Sequence, residues 1–323
     1  MALEATKKRA RKFRGWLANP RDRVFNRGAK GETESALRKH FDVYRADNLQ
    51  IVGRTEFKRH VMSRLGTLDA EAEGYRDAEL ERQRDLSIKF HWGHNHDFGD
   101  FQIDGRMGDR HIDLMTDFVD FFPIALEDFR GKAVLDIGCW TGGTTLLLAA
   151  LGSNVVALEE VKKYAETASF LARSFGLEDR VVVESASLYG CRGEAYHDRF
   201  DVAYFPGVIY HLSDPVLGLR ILFNALKPGG ILLVESAGIN NAKPYCRFDG
   251  SMIHTSGNTA ELNRGGWNWF TPSPSALARM MREAGFEEVD TLWNHETGRV
   301  YGYGKELRQV GICKAGLSVP DIR

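Results

Sequence analysis

From Ala133 onward the chain repeats one pattern five times, a short unbroken apolar run followed by a longer stretch of helical periodicity. The runs are AVLDIG (133–138), NVVALE (154–159), RVVVES (180–185), FDVAYF (200–205) and GILLVES (230–236). Strands this apolar need cover on both faces, and parallel neighbours need long crossovers between them. The pattern therefore predicts an α/β fold with a doubly wound, mostly parallel sheet and ligands at the carboxyl ends of its strands. Further on, Ser273–Ala284 reads as a helix entered after Pro272, and GFEEVDTLWN (285–294) and RQVGIC (308–313) read as antiparallel additions at the sheet edge.

Composition closes off other classes. With 323 residues, 43% hydrophobic and 27% charged, the chain has enough apolar matter for a large core. The longest tidy apolar run, Leu146–Leu151, falls well short of the roughly 18 residues of a spanning helix. Cys139, Cys191, Cys246 and Cys313 lie far apart without a CxxC pair, and the N-terminus lacks the apolar block of a secretory signal. A reducing cytoplasm is the expected compartment, with no Cys-based zinc site.

Charge is uneven. Residues 1–30 carry ten Lys or Arg against Glu4 and Asp22, an excess of 8, so the chain's net −1 leaves −9 on the rest. Such a basic arm suits nucleic acid, an anionic lipid surface, or the acidic body of its own or a partner subunit, as in a homodimer. From Thr33 to about Asp85 the pattern is helical, with Leu37, Phe41, Tyr44, Leu65, Leu68 and Leu80 as candidate buried positions. The expected organisation is a helical, basic extension over 1–88 and a ligand-binding domain over 89–323 that opens with a lid segment, 89–111.

Chemistry is concentrated at the strand ends. VLDIGCWTGG closes the first strand with Asp136, Gly138, Cys139, Trp140 and Gly142, where glycines admit a ligand to the backbone and the next helix offers its N-terminal amides. Twenty-one residues after Gly138, Glu159 ends the second strand and is placed to accept ribose hydroxyls, with Glu160 as competitor. An acid here implies an unphosphorylated ribose, as in S-adenosylmethionine (SAM) or NAD, and the glycine spacing is not the GxGxxG of a dinucleotide site. Ala186 and Ser187 follow the third strand, and Pro206 follows the fourth.

The segments VLDIGCWTGG, GVIYHLSDP, LKPGGILLVES and WNWFTPSPSALARMMREAGFEEV together resemble the tRNA wobble-uridine carboxymethyltransferase family and its relatives, within the class I methyltransferases of Rossmann-like fold. The resemblance implies SAM, or carboxy-SAM, as cofactor, bound by Asp136, Gly138, Cys139, Trp140, Gly142, Glu159, Ala186, Ser187 and Pro206. In that family a tyrosine, a lysine and an arginine grip the cofactor's extra carboxylate. Tyr210 matches the tyrosine, Arg308 matches the arginine more loosely, and Lys89 is the nearest lysine. Trp140 stands where a glycine is common.

A weaker resemblance to bacterial thioether S-methyltransferases of dimethylsulfoniopropionate biosynthesis implies a small carboxylate-bearing acceptor. A thioether nucleophile carries no proton and needs alignment plus tolerance for a new sulfonium, which aromatic faces supply. Trp92, His91, Arg110, His111, Trp269 and Arg308 are the candidate acceptor contacts, and Tyr210 and His211 the candidate catalytic residues. His211 suits a general base if the acceptor is a hydroxyl. His91, His94 and His96 alternate beside Asp97, but no metal is expected in such a site. The rival readings are (carboxy)methyl transfer to tRNA and a non-catalytic SAM-binding subunit.

Overall fold

The structure, a computed structural model, describes residues 27–67, 90–253 and 267–307. Helices α1 (Arg27–Phe41) and α2 (Arg54–Arg64) precede a short hairpin of β1 (His96–Asp97) and β2 (Gln102–Ile103), then helix α3 (Arg110–Phe121). The expected alternation follows as β3 (Ala133–Ile137), α4 (Gly143–Ala150), β4 (Asn154–Leu158), α5 (Lys162–Ser174), β5 (Val181–Glu184), β6 (Phe200–Pro206), α6 (Pro215–Ala225) and β7 (Leu226–Ala237). A hairpin of β8 (Cys246–Ile253) and β9 (Trp267–Pro272), helix α7 (Pro274–Ala284), β10 (Glu287–Asn294) and β11 (Arg299–Lys305) complete the described chain.

Seven strands form one sheet in the order β10-β11-β7-β6-β3-β4-β5, with strand order reversing between β3 and β6. β11 runs antiparallel to both β7 and β10, and the pairs from β7 to β5 are parallel. This is the class I methyltransferase arrangement. One expectation is corrected: the antiparallel strand beside β7 is RVYGYGK, not RQVGIC, which lies outside the described residues.

Alternate strand residues fill two cores, one on each face. Val134, Val155, Val202, Tyr204 and Leu233 meet α3 and α4 on one side. Leu135, Val156, Ala203, Leu232 and Val234 meet Leu219 and Leu222 of α6 and Leu277 and Met281 of α7 on the other. Local signals set the helix ends. Ser273 caps α7 by accepting the Ala276 N–H, Pro274 occupies its first turn, and Gly285 at φ 119° ends it.

The described part of the N-terminal region is helical and shares these cores. Leu37 of α1 is fully buried in the first, and Lys30 pairs with buried Asp117 of α3 at 2.9 Å. Phe57 and Val61 of α2, with Tyr44, join Phe90, Trp92 and Phe98 in a third core against Leu146 of α4 and Tyr164, Leu171 and Phe175 of α5 and its end. Leu68 and Leu80 lie outside the described residues.

Candidate active site

The β3–α4 turn is shaped by three left-handed positions at alternate residues, Gly138 (φ 74°), Trp140 (φ 51°) and Gly142 (φ 89°). A Cβ on Gly138 would sit 2.4 Å from Val208 Cγ2, so only glycine fits there. Trp140 adopts its angle at a cost of roughly 1–2 kcal/mol. The amides of Gly138 and Cys139 both donate to the Leu158 carbonyl, tying the turn to β4. The Cys139 side chain is fully buried in core, so that residue meets the site through its backbone.

Asp136 lies under this turn, 1% exposed, with Oδ2 accepting the Thr144 and Thr145 hydroxyls at 2.9 and 2.7 Å. Its Oδ1 is buried and has no partner. Burial raises its carboxyl to about 6, against the pull of the two threonine hydrogen bonds. An orphaned carboxylate oxygen beside a helix N-terminus fits a ligand bearing both ammonium and carboxylate groups, as the amino-acid end of SAM does.

Glu159, also buried, accepts the Trp140 amide on Oε2 and the Val161 amide on Oε1, each at 2.9 Å. These bonds fix the orientation of the carboxylate at the end of β4, where it would hold ribose hydroxyls. Glu160 is exposed. Ala186 and Ser187 follow β5 half-buried, and Pro206 ends β6 buried beside Glu235 of β7. Residues present therefore fit a nucleoside-bearing cofactor.

A second cluster gathers at the same end of the sheet. Glu235, 0% exposed, accepts Arg110 Nη2 at 2.7 Å and Arg299 Nη2 at 3.2 Å, with a shorter contact from Arg299 Nε. Arg299 also donates to the Tyr210 hydroxyl at 3.3 Å, its guanidinium 5.0 Å from that ring's centre. Burial opposes the Arg299 charge, but Glu235 overcomes this and raises its pKa. Two guanidiniums against one carboxylate leave one positive charge, with Arg110 and Arg299 22% and 16% exposed. The His211 ring lies 4.1 Å from that of Tyr210, and β9, which carries Trp269, packs beside this turn.

The structure brings the sequence-predicted Tyr210 and Arg110 together with Glu235 and Arg299, which the sequence reading did not single out. Arg308 and Lys89 lie outside the described residues, and Arg299 is the arginine beside Tyr210. The lone acid in GILLVES was the available signal, because a buried charge inside an apolar strand requires a partner.

The segment from 90 to 111 presses on the motif turn. Gly93 donates its amide to Thr141 Oγ1 at 3.0 Å, and its Cα faces the Trp140 ring. Trp92 is 4% exposed and packs on Phe90 and Phe98, so its indole belongs to the core and not to an open acceptor surface. The His91 amide donates to the Tyr164 hydroxyl. His94, His96 and His111 are buried, with burial lowering the first two to about 4 and the third well below its ordinary value. Among the described residues no group of three His, Cys, Asp or Glu side chains is arranged to hold a metal ion. Nor is any described helix long and apolar enough to cross a membrane.

Fold and site together define a class I methyltransferase domain with S-adenosyl-L-methionine as its cofactor. A methyltransferase-domain family model matches residues 108–291, more than half of the chain, and the chain belongs to that family. It is 32% identical over 175 residues to a tRNA U34 carboxymethyltransferase of Desulfotalea psychrophila, covering 53% of this chain and 50% of that one. It is 31% identical over 163 residues to a ubiquinone biosynthesis O-methyltransferase of Ruegeria pomeroyi, covering 50% and 62%. The chain spans about half the length of the tRNA-modifying relatives it matches. Among solved structures, the [4+2]-cyclase SpnF aligns over 70% of this chain and 90% of its own at 17% identity and a TM-score of 0.46. A Burkholderia thailandensis 1,6-didemethyltoxoflavin-N1-methyltransferase with bound S-adenosylhomocysteine aligns over 55% and 71% at 19% identity and a TM-score of 0.41.

Proposed function

We propose that the protein is a SAM-dependent methyltransferase whose acceptor is a small molecule bearing a carboxylate. The observation that carries this reading is the cluster of Arg110, Glu235, Arg299 and Tyr210 at the carboxyl ends of β6 and β7, with one uncompensated positive charge. A guanidinium pair with partial exposure suits a carboxylate, since charge-assisted contacts are stronger and more directional than neutral ones. When bound, SAM supplies an electrophilic methyl group. The protein's own residues hold and orient: Asp136 receives the cofactor's ammonium, Glu159 its ribose, and Arg299 with Tyr210 the acceptor's acid group. A thioether sulfur in that acceptor needs no base, and the Tyr210 and Trp269 rings tolerate the resulting sulfonium. A hydroxyl acceptor would instead call on His211 as general base.

Modification of tRNA is the second reading, favoured by the names of several relatives. A groove lined by His60, Arg64, Lys162 and Arg173, against Glu166, gives the body a basic surface for it. Against this stands the −9 charge of the chain outside residues 1–30. Incubation with methyl-labelled SAM, offered either a small-acid metabolite fraction or total tRNA, distinguishes the readings. Label should enter a low-mass carboxylic acid, with Arg299→Met raising the acceptor KM more than that of SAM. Label in a wobble uridine, with binding falling steeply as salt rises, would overturn the small-acceptor reading.

A further inference from the structure

His94, His96 and His111 are all buried, but their ring nitrogens meet different surroundings. His96 Nε2 lies 2.9 Å from the Tyr44 carbonyl, and both nitrogens of His111 are sealed inside the protein. His94 is 7% exposed, with Nδ1 sealed and unpartnered. Its Nε2 has no partner among the described residues either, yet is not sealed. The small open part of this ring therefore includes a polar atom with nothing to bond, a state that buried side chains rarely keep without a ligand or water.

The ring rests on the first residue of α4. A Cβ on Gly143 would fall 2.6 Å from His94 Nδ1 and 3.1 Å from its Cγ, so glycine there admits the imidazole to the helix start. No side chain caps α4, and the amides of its first turn have no carbonyl one turn back to bond. The Trp140 ring, from the same turn, is centred 6.3 Å from that of His94. Backbone bonds hold the histidine in place: Asn95 donates to the Gly108 carbonyl, Met107 to that of Gly93, and Arg106 to that of Trp92. Burial, aided by the nearby Arg110 charge, lowers the ring to about 4, so it is neutral and carries one N–H. Uncapped helix amides beside a fixed imidazole donor favour an anion. SAM has only one anionic group, the carboxylate of its amino-acid end.

We propose that His94 is a cofactor-binding residue whose Nε2–H donates to the carboxylate of SAM at the start of α4. The proposal rests on the cofactor site at the β3–α4 turn, and its test separates the two. Decarboxylated SAM lacks only the carboxylate, so it distinguishes a residue that holds that group from one that merely shapes the turn. In calorimetric titrations of the full chain, the wild type should bind SAM about tenfold or more tightly than decarboxylated SAM. His94→Phe keeps a ring against Gly143 and removes both nitrogens. It should weaken SAM about tenfold, the effect of one hydrogen bond to a charged group, and change decarboxylated SAM by less than about twofold, which also shows that the variant is folded. His94→Gln keeps an N–H donor of similar reach and should bind SAM within about threefold of wild type, a result that decides the matter even if the phenylalanine variant does not fold. Equal weakening of both ligands in His94→Phe would make the ring structural and overturn the proposal. So would unchanged SAM affinity in that variant, a tenfold loss in His94→Gln, or equal wild-type affinity for the two ligands. Failure of the wild type to bind SAM at all would remove the cofactor site itself, and the proposal with it.

Discussion

Glu235→Gln isolates the role of one buried charge. Glutamine has nearly the same shape, so the change removes charge while keeping packing. In the native protein Glu235 is 0% exposed and neutralises Arg110 at 2.7 Å and Arg299 through two nitrogens. Removing one member of a buried pair costs about 3–5 kcal/mol, because the partner charge stays behind unpaired. Here the guanidiniums are 22% and 16% exposed and water takes part of the load, so about 3 kcal/mol is expected. At about 2–4 °C per kcal/mol for a chain of this order of size, the midpoint should fall by about 6–12 °C. Thermal unfolding at pH 7.5, followed by circular dichroism and calorimetry together, measures it. Glu288→Gln is the control, since Glu288 meets Lys305 only at 3.9 Å on the surface and should shift stability by under about 0.5 kcal/mol. A shift of less than about 2 °C for Glu235→Gln would refute the claim that this carboxylate holds the two arginines together.

Further outcomes follow from the buried histidines, Asp136 and Gly105. His94, His96 and His111 stay neutral when folded because burial lowers their pKa values, so stability is present above the unfolded value near 6.5 and is lost as pH falls towards about 4. Asp136, raised to about 6, and Asp113, also raised by burial, have the opposite sign and destabilise the ligand-free protein as pH rises towards about 6, but they are two groups against the three histidines. A midpoint that does not fall between pH 7 and 5 would contradict this balance. SAM affinity should weaken as pH drops through about 6, where Asp136 loses the charge that receives the ammonium, and titrations of Asp136→Asn from pH 5 to 8 should show no such inflection. Gly105→Ala would place a Cβ 2.2–2.4 Å from His94 backbone atoms, which cannot swing aside, and should cost more than about 3 kcal/mol in urea unfolding.

The parallel half of the sheet was legible because its strands are buried on both faces and read as unbroken apolar runs. AVLDI, NVVAL and FDVAYF were placed to within a residue. β11 was not, since RVYGYGK holds two glycines in seven residues and resembles a turn until it is paired, Arg299 opposite Ala237, with a strand some 60 positions earlier. Arg299 was hidden for that reason, and so was the cluster it completes. Asp136 and Glu159 could be singled out as candidates because strand-end acids have a local context, the glycine turn and the apolar run before each. Trp92 was misjudged as an acceptor contact because an aromatic in FHWGHN has the same local context whether it faces a ligand or a core. Only the approach of α2 and α5 decides that it is core.

Calorimetric titration of the purified chain with SAM bears most directly on the central claim. Saturable binding at one site is expected, weakened roughly ten- to hundred-fold by Glu159→Ala, which removes a buried charge-assisted contact worth about 1.5–3 kcal/mol. Glu160→Ala, at an exposed position, should leave the affinity unchanged. No saturable binding of SAM by the wild-type protein, or equal affinity in wild type and Glu159→Ala, would contradict the assignment of the β3–α4 turn and Glu159 as the cofactor site.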